Sequence, residues 1–426
     1  MLTWVIFGTL IGLILLGVPI AVSMGITAVS TFVFLGQGQI LTMLAQRMYF
    51  STTAFTLLAI PFFILTGHIM NAGGVTQRIF DFAKVFVGHI WGGLGQANVV
   101  ASMVFSGMSG AAVADAAGLG LIEIKAMTDN GYDRKFSAAI TAASSTIGPV
   151  IPPSIPFVIY GSLTGVSVGK LFVAGFVPGI LMGLAMMVAV FFISRRRNYP
   201  RSERASLKEL VVSFRKASLS LGTVVIIIGG ILGGIFTPTE ASVVASLYAL
   251  FLTMVVYREV KLKDLPGVFW RALKDTLRVL FIIAAAGFFG WLLIYQKIPE
   301  GIILSLTAVS ANRFVLLTII IGILLVLGCF LEGIAVLVIT IPVFMPLINQ
   351  FGVDPVQFGV IMILCSMIGL LTPPVGMSLY AVASISGVSI GEMTKELWPY
   401  LVGIFLVLLV IAFIPGVTLW LVNLVG

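Results

Sequence analysis

The chain has 426 residues, of which 59% are hydrophobic and only 9% are charged. So little charge excludes a soluble globular domain, and apolar runs of about 20 residues recur along the chain, which predicts an all-α polytopic membrane protein with about 10 to 13 membrane segments. The net charge of +8 does not indicate nucleic-acid binding, since the basic residues lie mainly in short loops, where they orient membrane proteins.

The first half begins with an apolar stretch, residues 3–35, that is interrupted near Gly17 and Pro19. It lacks a charged start and a small-residue cleavage site, so it is interpreted as a retained membrane segment rather than a removed signal. A second apolar segment covers residues 55–70. Residues 75–102 carry early charges and then turn apolar, which is typical of a segment that runs along the interface before it enters the bilayer.

Glycine, alanine and serine dominate residues 102–127, with Asp115 in the middle. The sequence SGMSG near the centre predicts two short helices that meet at a tip, so the stretch is interpreted as a re-entrant hairpin. Residues 134–165 contain STIGPVIPPSIP. Its double proline cannot sit in an unbroken helix, because proline lacks the amide donor and clashes with the preceding turn. These residues are predicted to form a broken membrane helix, followed by a span at 168–194.

A basic segment divides the chain at its middle. RRRNYPRSER runs from Arg195 to Arg204, and further basic residues follow up to residue 217. Excess lysine and arginine between two spans places a loop on the cytoplasmic side. The chain is therefore predicted to contain two repeats, residues 1–194 and 218–426, joined by a cytoplasmic linker at 195–217.

The second half repeats the plan of the first. Residues 220–257 contain TPTEAS, in which Glu240 is predicted to cap a helix start, and the basic, amphipathic residues 258–278 favour an interfacial helix. The remaining predicted elements are spans at 279–295 and 301–327, a second hairpin at 327–350 that contains Glu332, a second broken helix at 355–386 that contains SMIGLLTPPVGM, and a closing span from Tyr400.

The two double prolines lie at matching positions of the halves. Gly148 and Gly369 are 221 positions apart, and so are Pro153 and Pro374. Paired breaks at corresponding positions are a sequence feature that predicts the binding site of a transporter. With a cytoplasmic linker and an odd number of crossings in each half, the repeats would be inverted and both termini would lie on the outer side.

Each break exposes backbone groups in a low-dielectric environment. The half-helix before it ends in unpaired carbonyls, and the half-helix after it begins with N–H groups and a partial positive charge. Carbonyl and hydroxyl oxygens suit a small hard cation such as Na+, and N–H groups suit an anion. About two or more sodium ions are expected, with two predicted cages: Ser109, Ala111, Gly148, Ile151 and Pro153 in the first half, and Gly328, Gly333, Gly369, Thr372 and Pro374 in the second.

A small organic anion is predicted to bind near Ser109, Pro152, Ser154, Glu332 and Pro373. A carboxylate inside a membrane segment is costly, so Glu332 is interpreted as a pocket residue, with a structural hydrogen-bond network or a water-exposed tip as alternatives. Asp115 favours a cap or network role inside its hairpin. The small residues of the cages also have an alternative role, since they allow helices to pack closely.

Motifs of enzyme chemistry are absent from the sequence. His68 and His89 stand apart beside glycine turns, and there is no nucleophile–base pair, Walker motif or dinucleotide fingerprint. Cys329 and Cys365 lie in apolar runs and are expected to be buried free thiols. The chain is therefore predicted not to be an enzyme.

Five motifs together resemble the large membrane subunit of the tripartite ATP-independent periplasmic (TRAP) transporters: NAGG at Asn71, SGMSGAAVADAA at Ser106, IPPSIPF at Ile151, GGIFTPTEA within 229–241, and TPPVG at Thr372. The resemblance covers essentially the whole chain. It implies a sodium-coupled secondary transporter of a bacterial or archaeal inner membrane that works as an elevator. The implied cargo is a small organic anion such as a C4-dicarboxylate, a sialic acid or another sugar acid, with the choice among them left open.

The resemblance also implies two protein partners besides lipid: a small four-helix membrane subunit on a separate chain, and a soluble periplasmic protein that captures the cargo. The acid of the family's second hairpin corresponds to Glu332, where aspartate is also common, and Ala111 stands where some members carry a hydroxyl. The hairpins and broken helices are expected to form a transport domain that slides against a scaffold. The alternatives are a sodium-coupled symporter without partners, a channel or structural membrane assembly, and a membrane enzyme.

Overall fold

The structure is a computed structural model that describes residues 2–310 and 312–425, apart from the side chains of Ser109 and Val425. Every regular element in these ranges is helical, which confirms the predicted fold class. The first half contains α1 (Leu2–Leu15), α2 (Ile20–Phe34), α3 (Leu44–Thr52), α4 (Ala59–Ala72), α5 (Val75–Val87), α6 (Gly93–Ser109), α7 (Ala112–Asp129), α8 (Arg134–Ser145), α9 (Ile155–Thr164) and α10 (Val168–Arg196).

The starts of the helices from α6 to α10 recur 220 to 222 positions later in the second half. Helix α7 begins at Ala112 and α16 begins at Gly333, 221 positions later, and both end 221 positions apart as well. The helices of this half are α11 (Leu207–Leu232), α12 (Pro238–Phe251), α13 (Leu265–Tyr295), α14 (Ile298–Val309), α15 (Arg313–Phe330), α16 (Gly333–Gln350), α17 (Pro355–Gly369), α18 (Met377–Ser386), α19 (Ile390–Phe413) and α20 (Pro415–Val425).

Short polar side chains start the helices that flank the breaks. Asp133 accepts a hydrogen bond from the Lys135 amide at 2.7 Å and begins α8, and Asp354 does the same for α17 with the Val356 amide. These caps satisfy amides that have no partner inside the helix. Glu240 forms a capping box with Thr237 at the start of α12, so its predicted capping role is confirmed.

Both hairpins are longer than predicted from composition. The first consists of α6 and α7 and begins at Gly93, whereas the sequence placed its start at residue 102. The second consists of α15 and α16 and begins at Arg313, inside the stretch that was predicted to be a span at 301–327. The small-residue composition marks only the region around each tip, and the outer part of α15 is as apolar as an ordinary span.

Two further boundaries differ from the prediction. Residues 265–295 form the single helix α13, so the interfacial helix predicted at 258–278 and the span predicted at 279–295 are largely one element. The predicted linker at 195–217 is mostly helical, because α10 continues to Arg196 and α11 begins at Leu207. Within the described residues, eight helices are long and apolar enough to cross a membrane. The estimate of about 10 to 13 segments came from chain length at about 20 residues per span; in the described residues, seven further apolar helices are shorter than 18 residues.

The helices pack as two sets. In one set, α4 lies between α12 and α13, and α13 also contacts α2 and α3. In the other set, the hairpin helices α6, α7, α15 and α16 pack on the broken helices, and α10 and α19 pack on each other and on the broken helices. The two sets meet where α13 contacts α16 and where α4 contacts α6 and α9.

The segment between α10 and α11 is attached to the end of the first hairpin. The hydroxyl of Tyr132 donates to the Pro200 carbonyl at 2.7 Å and accepts from the Leu94 amide. Burial raises the pKa of Tyr132 to about 12, so the phenol stays neutral and keeps its proton for this bond at physiological pH. The Tyr132 ring also contacts the ring of Tyr199.

An ion pair joins the same segment to α19 and leads to a stability prediction. Arg197 Nη2 lies 3.0 and 2.8 Å from the two carboxylate oxygens of Glu396, whose side chain is 19% exposed. We expect Glu396→Gln to lower the free energy of unfolding by about 1–2 kcal/mol, because a neutral amide is a weaker acceptor for a charged donor. Thermal unfolding in detergent measures this change.

Glu392→Gln is the matched control on the same helix. Glu392 pairs with Lys135 at 2.8 Å, but both of these side chains are almost half exposed. Solvent screens this pair, so a smaller loss of stability is expected than for Glu396→Gln. Equal losses in the two variants would contradict the role given to the Arg197–Glu396 pair.

Candidate functional site

The first break joins α8 to α9 and is entirely buried. Residues 146–154 separate the two half-helices, none of them is solvent-exposed, and the Pro152–Pro153 bond is cis. Ser154 begins α9, because its hydroxyl accepts from the Phe157 amide at 3.2 Å while donating to the Pro149 carbonyl. The Ser154 hydroxyl is therefore occupied by the backbone.

The tip of the first hairpin lies directly against this break. An ideal Cβ on Gly110 would lie 2.6 Å from the Pro153 carbonyl oxygen, and one on Gly148 would lie 2.4 Å from Oδ2 of Asp115. The Pro153 oxygen is a backbone atom that cannot rotate away, and Gly110 has a φ of +63°, so that position requires glycine. The structure thus brings the tip beside Ala111 together with Gly148 and Pro153 of the predicted first cage, with the buried Asp115 next to them.

Two members of the first cage stand differently. The Ile151 side chain packs against Gly179 of α10, where an added Cβ would lie 2.3 Å from Ile151 Cγ1, so only its carbonyl remains as a ligand atom. The Ser109 side chain, predicted for both the cage and the anion site, lies outside the described part of the structure. Asp115, predicted as a cap or network residue, stands in the first turn of α7.

The second break has the same construction with a more open surface. Gly369 ends α17 against the second hairpin, since a Cβ on Gly369 would lie 2.4 Å from the carbonyl carbon of Gly328. The Val375 amide donates to the Cys329 carbonyl at 3.2 Å, which ties the break to the hairpin tip. Pro373 and Pro374, also joined by a cis bond, are exposed, in contrast to the buried prolines of the first break.

The predicted second cage also supplies one hydroxyl. Thr372 Oγ1 donates to the Ile368 carbonyl at 2.7 Å, so its lone pairs remain available to a cation. Gly333 starts α16 beside Ser366, where an added Cβ would lie 3.3 Å from Ser366 Cβ. Carbonyl oxygens around glycines and a hydroxyl form a donor set that suits a hard monovalent cation such as Na+.

A cavity of about 590 Å³ lies where the two hairpin tips, the two breaks and the helices α4 and α13 meet. The first residues of four helices line it: Ala112 of α7, Ile155 of α9, Gly333 of α16 and Met377 of α18. Each helix N-terminus carries a partial positive charge, although some first-turn amides already have partners, such as the Phe157 amide of α9 and the Ser378 amide of α18. Four of them around one cavity give it an electrostatic environment that favours an anion.

The residues predicted for the anion divide into two groups. Glu332, the residue that precedes α16, lines the cavity, as do Ala111 and Gly333 of the cages. The cavity lining does not include Pro152, Ser154 or Pro373, because Pro152 and Ser154 are buried inside the first break and Pro373 lies on the outer surface of the second.

Three polar residues of the cavity were missed by sequence reasoning. His68 Nε2 of α4 lies 2.9 Å from Asp275 Oδ2 of α13, and Arg278 Nη1 lies 3.3 Å from Asp275 Oδ1. All three line the cavity. The sequence assigned Arg278 to an interfacial helix, although an aspartate and an arginine three residues apart, directly before an apolar run, were a signal of charges inside a span.

A buried polar network in the first hairpin was also missed. Asn98 of α6 donates to Glu123 of α7 at 2.8 Å and to Thr141 of α8 at 2.7 Å, and it accepts from Ser144 at 2.7 Å. In the second half, the positions 221 residues later hold only apolar residues or cysteine: Ile319, Phe344, Met362 and Cys365. At these positions the first hairpin is therefore attached to its broken helix by side-chain hydrogen bonds, and the second by apolar packing.

Two hairpins that press glycine-lined tips against two broken helices, around a cavity rich in helix N-termini, define a multi-pass membrane permease. Residues 7–417 match the family model "Tripartite ATP-independent periplasmic transporter, DctM component". The chain belongs to this family of TRAP transporter large permease subunits, and it is a multi-pass protein of a bacterial inner membrane.

Individual relatives match over nearly their whole length. The chain is 45% identical over 419 residues to the sialic acid TRAP transporter large permease protein SiaM of Vibrio cholerae, with 98% of each chain covered. It is 40% identical over 383 residues to the C4-dicarboxylate TRAP transporter large permease protein DctM of Pseudomonas aeruginosa, with 90% of each covered. The YdaH transporter of Alcanivorax borkumensis is similar in fold, with a TM-score of 0.66 at 13% identity and 89% of each chain covered.

Proposed function

We propose that the protein is the permease of a sodium-driven uptake system for a small organic anion, of the sialic acid or C4-dicarboxylate class. The observation that carries the proposal is the cavity on which four helix N-termini converge beside two glycine-lined breaks. The amides attract an anion, and the adjoining carbonyls attract a cation, so both ions bind at neighbouring positions. Relatives named for sialic acid and for C4-dicarboxylates support this cargo class.

Sodium provides the driving force in this proposal. The Na+ ions bind where each hairpin tip meets its break, close to Gly148 and Pro153 in the first half and to Gly369 and Thr372 in the second. Each bound cation draws carbonyls of the hairpin tip and of the broken helix to the same point. The N-termini that face the cavity are then held in place for the anion, which couples the binding of the two ions.

Movement of one helix set against the other completes the transport cycle. The hairpins and broken helices move as the transport domain, and α2, α3, α4, α12 and α13 belong to the scaffold. A small residue lies on the boundary between them: a Cβ on Gly118 of α7 would lie 2.8 Å from Asn71 Nδ2 of α4. Glycines allow such close contacts between elements that slide.

The family implies two partners, a small membrane subunit and a periplasmic binding protein, and the test uses all three components. Proteoliposomes with the complete system are expected to take up sialic acid or succinate when Na+ is high outside and the binding protein is present. Uptake that is unchanged without a sodium gradient would contradict the sodium coupling. Equal uptake by the permease without the binding protein would instead support a symporter that works without partners.

A further inference from the structure

Arg278 is a charged residue in the middle of a membrane helix. It lies well inside α13, which runs from Leu265 to Tyr295, and its side chain is 78% exposed. An arginine directly before the apolar run of such a helix is costly unless it faces water, a partner or a ligand. Arg278 lines the cavity described above, so its charge is directed into the space that the anion is proposed to occupy.

Asp275 contacts this arginine directly, and His68 contacts Asp275, so the positive charge of the guanidinium is only partly neutralised. One guanidinium nitrogen lies 3.3 Å from Asp275, which stands one turn earlier on α13. Asp275 in turn is bonded at 2.9 Å to His68 of α4. Within the described residues, the other N–H groups of Arg278 have no hydrogen-bond acceptor, and a guanidinium carries five N–H donors in a planar fork that fits a carboxylate.

An anion that enters this cavity needs a positive group near it, because two of the lining side chains carry carboxylates. Among the described lining residues, Asp275 and Glu332 carry carboxylates and Arg278 carries the guanidinium, with His68 as the other titratable group. An anion that approaches Glu332 would be repelled unless another positive group were near it. The four helix N-termini supply partial charges only, whereas Arg278 supplies a full one.

We propose that Arg278 is a cargo-binding residue, whose guanidinium receives the carboxylate of the anion, with Asp275 and His68 as positioning residues. This inference rests on the proposed function, because it takes the cargo to be an organic anion. Arg278 belongs to the helix set of α4 and α13, and Glu332 belongs to the hairpin set. Bound cargo therefore joins the two sets in this conformation and separates from Arg278 when they move.

The test compares three variants in proteoliposomes that contain the complete three-component system. Arg278→Gln is expected to raise the half-saturating concentration of sialic acid or succinate by about ten-fold or more, which matches the loss of one charge-assisted contact of about 1.4 kcal/mol. Arg278→Lys keeps the charge but loses the fork, so a rise of roughly three-fold is expected. Lys274→Gln, one turn earlier on α13 and outside the cavity lining, should stay within about two-fold of the unsubstituted protein.

A second readout separates binding from structural damage. The half-saturating concentration of Na+, measured at saturating cargo, should be unchanged in Arg278→Gln, since the cages lie in the other helix set. Unchanged cargo affinity in folded Arg278→Gln overturns the inference. If Arg278→Gln does not assemble, the Arg278→Lys variant tests the inference. Weaker cargo affinity at unchanged sodium affinity in that variant supports the inference. Unaltered cargo affinity overturns it. An unsubstituted system that carries neither anion contradicts the proposed function instead.

Discussion

Replacing Gly369 by alanine is expected to reduce sodium-driven uptake by about ten-fold or more and to destabilise the protein. The added Cβ would lie 2.4 Å from the carbonyl carbon of Gly328 and 2.5 Å from its Cα. Both are backbone atoms, so no side-chain rotation relieves the collision, and the second hairpin has to separate from its broken helix. That separation would move the carbonyls of the predicted second cage away from each other. Uptake in proteoliposomes and thermal unfolding measure the two effects.

Gly322→Ala is the matched control for this prediction. Gly322 lies in α15, the same hairpin arm that contains Gly328, and nothing in the described structure lies within 4 Å of its Cβ position. Alanine there should leave uptake unchanged and favour the helix by up to about 1 kcal/mol. If Gly369→Ala were as active and as stable as Gly322→Ala, the tight contact between tip and break would be contradicted.

Replacing Asp115 by asparagine is expected to raise the half-saturating concentration of Na+ by about ten-fold or more. Asp115 is 2% exposed, and its Oδ2 lies beside Gly148 of the predicted first cage. Two opposite charges about 4 Å apart attract by about 4 kcal/mol at an effective dielectric constant of about 20, so a part of this energy is enough for a ten-fold effect. Asparagine keeps the shape and removes the charge. Sodium titration of cargo uptake measures the change.

Asp129→Asn removes the same charge from the exposed end of the same helix. Sodium dependence should be unaltered there, because solvent and salt screen a charge at that distance from the cage. If Asp115→Asn and Asp129→Asn had equal sodium dependence, the first hairpin would not hold a cation near Asp115, and the site would have to be placed elsewhere.

The chain breakers made the broken helices predictable from the sequence. The predicted ranges, 134–165 and 355–386, agree within a residue with the ends of α8–α9 and α17–α18. Proline and glycine act through their own backbone restrictions, and Asp133 and Asp354 cap helices through local hydrogen bonds. None of these effects needs a distant neighbour, so the residues alone determine them.

The hairpin arms were predicted less well because their boundaries have no such local signal. Residues 313–326 are as apolar as a crossing helix, and residues 93–101 contain only Gln96 and Asn98 as polar side chains. The turn before Gly93 and the break at Ser310 separate these arms from the preceding helices. The same limit applies to α13, where a change from basic to apolar composition was interpreted as a boundary between two elements. The composition changes after Arg278, but α13 continues without a break to Tyr295.

The repeat in the sequence also suggested more symmetry than the structure has. The two breaks and tips match, yet Asn98 joins the first hairpin to its broken helix through hydrogen bonds with Thr141 and Ser144, whereas the matching positions of the second half hold Ile319, Met362 and Cys365. The exposure of the breaks differs as well, since Pro152 is buried and Pro373 is exposed. These differences depend on contacts between helices that are far apart in the chain.

By itself, the sequence determined that this is a helical membrane protein and that it has two matched halves with a proline break in each. These properties follow from composition and from local backbone restrictions. Only the tertiary structure decided which side chains share the cavity: it placed Glu332 there, left Ser154 inside the first break, and added Arg278 with its partners from α4 and α13. A cavity is formed by elements that are distant in the chain, so no local pattern specifies its lining.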